Sequence, residues 1–167
     1  MKTAALLLIV LNYSSNLFCQ SAEMYYSNGK DKFNIKNYEG SIVDFGKAIE
    51  IKPDFEDAYL FRVKAKKKLK DYRGAIVDLN KVIGLNPKNE IAYFERAGAK
   101  HWLGDTEGAL ADYNKVIELS PKNAEAYYWR GCVKLNLGQH ENGCLDLSKA
   151  GELGFKEAYE TILKSCQ

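Results

Sequence analysis

Three cysteines and one histidine near the carboxyl end are the residues whose types could support metal or redox chemistry. They are Cys132, His140, Cys144 and Cys166, and a fourth cysteine, Cys19, lies near the amino terminus. Cysteine and histidine are the usual ligands of structural zinc. Seven residues separate Cys132 from His140 and three separate His140 from Cys144, which is not a standard zinc spacing. We therefore predict no metal site and consider thiol or disulfide chemistry instead.

Catalytic motifs are not visible elsewhere in the sequence. The two histidines are His101 and His140, and neither belongs to a recognisable nucleophile motif. Gly29, Gly98 and Gly131 fall within predicted helices and not after strands, so they do not form a phosphate-binding loop. We predict that the chain is not an enzyme and needs no cofactor.

Tyrosine, aspartate, lysine and proline residues recur along the chain with a fixed period. The period is 34 residues, and it brings four kinds of residue into register. The aligned sets are Tyr25, Tyr59, Tyr93 and Tyr127; Asp44, Asp78, Asp112 and Asp146; Lys47, Lys81, Lys115 and Lys149; and Pro53, Pro87 and Pro121. Because the aspartates recur with the repeat, we interpret them as structural residues and not as a catalytic acid and base.

Each period contains two amphipathic segments that would position these residues. In the best-defined unit the segments are 91–103 and 107–119, separated by Gly104 and Asp105 and followed by Pro121. Glycine and proline commonly mark turns between helices. Mostly small residues recur at one position of each segment and would let the paired segments approach closely. They are Gly29, Val63, Ala97 and Gly131 in the first segments, and Ser41, Ala75, Ala109 and Gly143 in the second, with Val63 as the misfit.

A helix–turn–helix unit repeated every 34 residues resembles the tetratricopeptide repeat family. The resemblance implies an all-α fold, a right-handed superhelical array of antiparallel helix pairs (an α-solenoid). Its repeats would be 22–55, 56–89, 90–123 and 124–157. A capping helix is predicted over 154–167, because an array needs a cover for its last apolar face. One apolar stripe at helical spacing supports it, formed by Phe155, Ala158, Tyr159, Ile162, Leu163 and Cys166.

The seventh position of repeats two to four is arginine, as Arg62, Arg96 and Arg130, whereas the first repeat has Asn28. The first repeat has no predecessor, and it alone lacks the arginine. We therefore predict that each arginine binds the aspartate of the preceding repeat. The pairs would be Asp44–Arg62, Asp78–Arg96 and Asp112–Arg130. The alternative is separate solvation, and exposed ion pairs contribute only about 0–1 kcal/mol.

Cys144 and Cys166 are expected to lie opposite each other, because the last helix of repeat four and the capping helix should run antiparallel about Gly154. We predict a disulfide between them if the chain is exported, since disulfides persist in oxidising compartments. Two buried thiols are the alternative. Cys132 would be a free thiol, or would compete for Cys144 across the turn at Gly138.

Residues 1–20 lie outside the repeats and have the pattern of a secretory signal peptide. Lys2 is followed by an apolar run over 4–11. This run is shorter than the roughly 20 residues of a membrane-spanning helix. We predict a soluble protein of the periplasm or secreted space, cleaved near Gln20, and the chain resembles bacterial envelope tetratricopeptide proteins. Lipid attachment at Cys19 is disfavoured by the large Phe18 before it, and a helix packed on the first repeat is the alternative.

Members of the family bind protein segments on the concave face lined by first helices, so the resemblance implies a groove there. Five positions of each repeat share that face by helical spacing. The predicted groove residues are Tyr26, Lys30, Phe33, Leu60, Lys64, Lys67, Lys68, Ile91, Phe94, His101, Trp102, Glu125, Tyr128 and Leu135. The implied partner is a protein or peptide with an apolar anchor near Phe94, Trp102 and Tyr128. Its acidic group would lie beside Lys64, Lys67 and Lys68.

There are three alternatives to this groove. Trp102 and Leu135 could pack within the array while the lysines form a solvated face. The basic stretch 62–70 could bind nucleic acid, but the net charge of only +2 and the predicted export argue against it, so we predict no nucleic-acid partner. The chain could also be a docking subunit of an enzyme complex. The carboxylate clamp of chaperone-binding members is absent, because Tyr26 and Phe61 occupy two of its positions.

Overall fold

The computed structural model describes residues 21–166, so Cys19 and the predicted signal peptide lie outside the described residues. Every regular element in this range is an α-helix, and no helix in it is long and apolar enough to cross a membrane. The chain divides into two compact units, Met1–Gly74 and Ala75–Gln167. The helices are α1 (21–34), α2 (Tyr38–Ile51), α3 (Glu56–Lys68), α4 (Tyr72–Leu85), α5 (Glu90–Trp102), α6 (Thr106–Leu119), α7 (Ala124–Asn136), α8 (His140–Glu152) and α9 (Glu157–Ser165).

Short polar side chains define where most of these helices begin. Asn37, Asn89 and Asn123 each accept a hydrogen bond from the backbone N–H three residues later, at 2.9 Å. Asp71 and Asp105 accept the equivalent bonds at 2.9 and 3.0 Å. These caps satisfy N–H groups that the first turn of a helix leaves without an intrahelical acceptor. The recurrence of the caps explains why the helices begin at equivalent places in successive repeats.

The turn inside each helix pair contains one residue in the left-handed region. Gly104 and Gly138 occupy this place, with φ of 81° and 73°. Glycine adopts such angles without steric cost. Lys36 and Lys70 hold the equivalent positions with φ of 63° and 60°. A left-handed residue ends the first helix and reverses the chain, so that the second helix can pack against the first.

The core of the unit Met1–Gly74 is aromatic. Phe45 is fully buried and Phe55 is nearly so. The rings of Tyr26 and Phe61 lie 5.9 and 5.8 Å from the Phe45 ring, measured between centroids. Gly29 faces the same ring so closely that an added Cβ would lie 2.6 Å from it. The small residue at this position of α1 therefore makes room for the Phe45 ring on α2.

The unit Ala75–Gln167 contains a core of smaller side chains. One buried cluster joins α5, α6 and α7. Burial raises the pKa of its tyrosine, Tyr113, well above the usual value, which keeps the phenol neutral. The helices α7 and α8 pack closely where Gly131 faces Gly143. A Cβ added to Gly131 would lie 2.9 Å from the Gly143 carbonyl oxygen. The buried cluster consists of Ala97, Ala109, Tyr113 and Val133.

The predicted capping helix is present as α9, but part of its apolar stripe is not buried. Ala158 is fully buried, and the flanking Phe155 is half-buried. Tyr159 and Leu163 are 55% and 67% exposed. The apolar stripe is therefore buried only in part. The Tyr159 ring lies against Gly151 of α8, but more than half of each of these two side chains remains exposed.

Candidate functional site

The helices α1 and α3 of the first unit present an aromatic and basic surface. The Phe61 ring lies 5.5 Å from the Tyr26 ring and 6.5 Å from the Phe33 ring. The ammonium groups of Lys64 and Lys30 lie 4.6 and 5.6 Å from the centre of the same Phe61 ring. Aromatic faces attract cations, so lysines from two helices converge there. We call Tyr26, Lys30, Phe33, Phe61, Lys64, Lys67 and Lys68 the basic aromatic patch.

A cavity of about 310 Å³ opens within this patch. It is lined by Phe33, Lys64, Lys67 and Lys68. Lys30, Lys64 and Lys68 are exposed, and in the described part of the chain none of the three forms an ion pair. Convergent cations beside an apolar wall favour a ligand that carries both an acidic and an apolar group.

Phe61 is a candidate residue that the predicted groove does not contain. It follows Leu60, which helical spacing assigns to the concave face, and its ring turns toward Tyr26 and Phe33 on α1. The signal that could identify it is the concentration of aromatic residues in repeat one, whose rings need aromatic neighbours. Burial raises the pKa of Tyr26, with help from the carboxylates of Asp57 and Glu23, so that its hydroxyl stays a neutral hydrogen-bond donor.

The second unit has a smaller cavity at the start of α5. Its volume is about 160 Å³, and the predicted groove residues Ile91 and Phe94 form its apolar part. Phe94 also packs against Tyr113 of the core, with 5.6 Å between ring centroids. Two glutamates at the rim make this cavity apolar and acidic, in contrast to the basic aromatic patch. The lining residues are Glu90, Ile91, Phe94, Asn123 and Glu125.

The other predicted groove residues of this unit lie elsewhere. Tyr128 stacks on Phe155, with 4.7 Å between ring centroids, and its hydroxyl is 3.3 Å from Thr161 Oγ1. Leu135 packs against Gly143 of α8 and so lies within the array, which was the alternative to a position in the groove. His101 is half-buried and Trp102 is 70% exposed at the end of α5. Neither Trp102 nor Tyr128 lines the Phe94 cavity, so the three predicted anchors do not share one pocket.

Arg96 and Arg130 bind aspartates of their own repeat, and the predicted pairing with the preceding repeat is wrong. The Nε and Nη2 atoms of Arg96 donate to both carboxylate oxygens of Asp112, at 2.8 and 2.6 Å. Arg130 binds Asp146 with the same two distances. Asp78–Arg96 and Asp112–Arg130 are therefore not ion pairs. The reason is that the seventh position of a first helix faces its own second helix across the antiparallel pair. The bidentate contact raises the pKa of Arg96 further above its usual range.

The arginines still connect successive repeats, through asparagine. Arg96 Nη1 donates to Asn80 Oδ1 at 2.7 Å, and Arg130 Nη1 donates to Asn114 Oδ1 at 2.8 Å. Each guanidinium thus bridges the second helices of two neighbouring repeats. Such a fixed fork defines the register of stacking more than it stabilises the fold.

The lysine four residues after Arg96, and the one four residues after Arg130, binds the same aspartate as that arginine, a recurrence that the predicted pairs do not include. Lys100 lies 2.9 Å from Asp112, and Lys134 lies 2.8 Å from Asp146. In the first repeat, Lys32 lies 2.7 Å from Asp44. The predicted Asp44–Arg62 pair is absent, and the Arg62 guanidinium lies beside Gly46. A spacing of four residues places arginine and lysine on one helical face, which is the sequence signal for this arrangement.

The disulfide prediction is confirmed. Cys144 and Cys166 are bonded, with 5.8 Å between their Cα atoms, and the bridge ties the end of α9 to α8. Cys132 is a free thiol, and burial raises its pKa. In residues 21–166 no group of three or more histidine, cysteine, aspartate or glutamate side chains is arranged to hold a metal ion.

We expect peptide mapping without reduction to recover the bridge directly. Trypsin should release residues 135–149 and 165–167 as one linked species, because Lys134, Lys149 and Lys164 flank the two cysteines. The peptide 131–134 should carry an alkylating group on Cys132. Reduction before alkylation is the control and should separate the linked peptides. Recovery of Cys144 and Cys166 as alkylated peptides without reduction would contradict the bridge.

The basic stretch 62–70 does not form a single free surface. The Arg62 guanidinium lies over the Tyr59 ring, 5.5 Å from its centroid. Lys66 donates to the Gly74 carbonyl oxygen at 3.1 Å. Part of the positive charge in this stretch is therefore engaged within the protein, which reduces what is available for a phosphate backbone.

Comparisons with known proteins address the repeat architecture. A model described as TPR repeat matches residues 99–138, and one described as tetratricopeptide repeat matches residues 56–89 and 124–153. No curated protein sequence was found to match the chain.

Solved structures with the same architecture include tetratricopeptide proteins. A crystal structure of MamA protein superposes with a TM-score of 0.81 at 23% identity, over 86% of this chain and 79% of that one. The first TPR of Spaghetti (RPAP3), bound to the HSP90 peptide SRMEEVD, has a TM-score of 0.68 and 28% identity, over 72% and 95%. The Arabidopsis OM64 TPR domain has a TM-score of 0.66 and 22% identity, over 70% and 97%. The chain therefore belongs to the tetratricopeptide repeat family.

Proposed function

We propose that this chain is a non-enzymatic interaction scaffold that binds an acidic protein segment at the basic aromatic patch. The observation that carries the proposal is the convergence of Lys30 and Lys64 on the Phe61 ring, beside a cavity walled by Phe33. The ligand we propose is an extended segment whose carboxylate lies among the lysines while an apolar side chain enters the cavity. The first TPR of RPAP3, which carries the acidic peptide SRMEEVD, supports this class of ligand.

The Phe94 cavity is proposed as a second contact region of different chemistry. Its rim carries Glu90 and Glu125, so an apolar side chain with a neighbouring hydrogen-bond donor would suit it. A segment that is uniformly acidic would be repelled there.

We further propose that the protein acts in an exported, oxidising compartment. The apolar run over 4–11 after Lys2 is typical of a secretory signal. The Cys144–Cys166 disulfide supports the same compartment, because disulfides are rare in reducing cytosol. Fractionation of the native source, with a tag after residue 166, tests this proposal, and recovery only from the cytosol would contradict it.

Reversing two lysines of the patch is expected to abolish partner binding. In a crosslinked pull-down from the native source, Lys64→Glu/Lys68→Glu should lose the partner that the unaltered chain retains. With the purified partner, we expect Kd to rise at least about tenfold, which corresponds to about 1.4 kcal/mol. Binding by the unaltered chain should also weaken with salt, because the lysines are exposed.

The matched control reverses two lysines outside the patch. Lys81 and Lys88 are exposed, so Lys81→Glu/Lys88→Glu makes the same change in net charge without altering the patch. Equal loss of the partner in both variants would show that net charge matters and the patch does not. Full retention by Lys64→Glu/Lys68→Glu would move the binding site elsewhere.

A further inference from the structure

α9 begins in the manner of the first helix of a fifth repeat. Phe155 stacks on Tyr128 with 4.7 Å between ring centroids, just as Phe55 stacks on Tyr26 at 4.9 Å in the first unit. Ala158, three residues after Phe155, is fully buried, and so is Ala58, three residues after Phe55. The start of α9 therefore repeats the packing by which α3 follows the first repeat.

This equivalence aligns Tyr159 and Leu163 of α9 with Tyr127 and Gly131 of α7. Gly131 is buried, and it faces α8, the second helix of its own repeat. In α9 the same two positions are 55% and 67% exposed. The Tyr159 ring lies in part against Gly151 of α8, and the remainder of the two side chains forms an exposed apolar face. We call Tyr159 and Leu163 the open face of α9.

The open face is not shaped for the second helix of a repeat. Gly131 lets α7 and α8 approach until an added Cβ would lie 2.9 Å from a backbone oxygen. Leucine at the equivalent place keeps any such helix farther away. Ile162 moreover replaces the arginine that binds the aspartate of a second helix. The open face suits instead a helix that packs through large side chains, at the usual interaxial distance of about 8–10 Å.

We propose that the open face binds a second copy of this chain through an antiparallel pair of α9 helices. Glu157 and Glu160 lie in the first turn of α9, and Lys164 lies in the last. Antiparallel pairing places the acidic first turn of each helix beside the basic last turn of the other. It also packs Tyr159 of each copy against Leu163 of the other. This mutual arrangement is what a two-fold interface requires.

Two features of α9 favour antiparallel pairing with a second copy, namely the fixed position of the helix and the distribution of its charges. The Cys144–Cys166 disulfide holds the end of α9 on α8, so the open face is presented on a fixed helix. Parallel pairing of the two copies would bring like charges together and is disfavoured. The self-association proposed here does not depend on ligand binding at the basic aromatic patch.

Sedimentation velocity of the full chain over a concentration series tests the proposal. The unaltered chain should pass from monomer to dimer as concentration rises, and Tyr159→Ser/Leu163→Ser should remain monomeric with an unchanged circular dichroism spectrum. Both side chains are exposed, so the variant is expected to fold. The control is Ile35→Ser, which removes an apolar side chain that is 75% exposed in the other unit and should leave the dimer intact.

Charge reversal tests the antiparallel arrangement. Glu160→Lys alone and Lys164→Glu alone should each raise the dimer Kd several-fold, and combining them in one chain should restore it. A chain that stays monomeric at every concentration would overturn the proposal. So would a dimer that survives Tyr159→Ser/Leu163→Ser, or one that the combined reversal fails to restore.

Discussion

Replacing Asp112 by alanine is expected to lower the free energy of unfolding by about 3 kcal/mol, measured by urea denaturation. The carboxylate is 5% exposed and binds both Arg96 and Lys100, whose side chains are largely buried. Asp112→Ala leaves two cations in that place without a partner, and removing one member of a buried charge cluster costs more than the cluster itself contributes.

The control for this prediction is an exposed ion pair on the same helix. Glu118 lies 2.7 Å from Lys115, and the two side chains are 67% and 35% exposed. Glu118→Ala should change stability by less than about 0.5 kcal/mol. Replacing the whole cluster, as Arg96→Met/Lys100→Met/Asp112→Leu, should cost less than Asp112→Ala alone. Equal effects of Asp112→Ala and Glu118→Ala would show that the cluster is effectively solvated.

A valine in place of Gly131 is expected to destabilise the protein by about 3 kcal/mol or more. Its Cβ would lie 2.9 Å from the Gly143 carbonyl oxygen and 3.0 Å from the buried Leu147 side chain. Neither neighbour can move without separating α7 from α8. Thermal and urea unfolding should both show the loss.

The same substitution at Gly84 provides the control. Gly84 lies within α4, and a Cβ added there would meet nothing within 4 Å. Valine has a somewhat higher helix propensity than glycine, so Gly84→Val should shift stability by no more than about 0.5 kcal/mol, upward. If both variants lost stability equally, helix propensity and not close packing would govern these sites.

The ion-pair cluster shows what a repeated pattern can reveal and where it fails. The recurrence of Asp112 and Arg130 with the period correctly indicated that these residues are structural. Recurrence does not distinguish a partner in the same repeat from one in the preceding repeat, because both relations recur equally. The distinction depends on how the first helix is rotated about its axis, and the Arg96–Asp112 contact shows that rotation.

The candidate site was predictable in composition but not in arrangement. Helical spacing assigned the lysines at 64, 67 and 68 to one face, and the structure places all three around one cavity. Phe61 was not predictable in the same way, because its ring reaches the patch from the edge of that face. Tyr128 was predicted as a ligand anchor, yet it packs on Phe155, a contact that depends on the path of the chain into α9.

The repeat, the helices and their turns were predictable from the sequence alone. These follow from local chemistry, namely caps such as Asn89, turn residues such as Gly104, and the apolar periodicity between them. The sequence pattern did not predict which aspartates Arg96 and Arg130 bind, or which face of α9 stays exposed. Both depend on the rotation and spacing of packed helices, which are set by contacts such as Gly131 on Gly143. Such contacts join residues distant in sequence, so no local pattern encodes them.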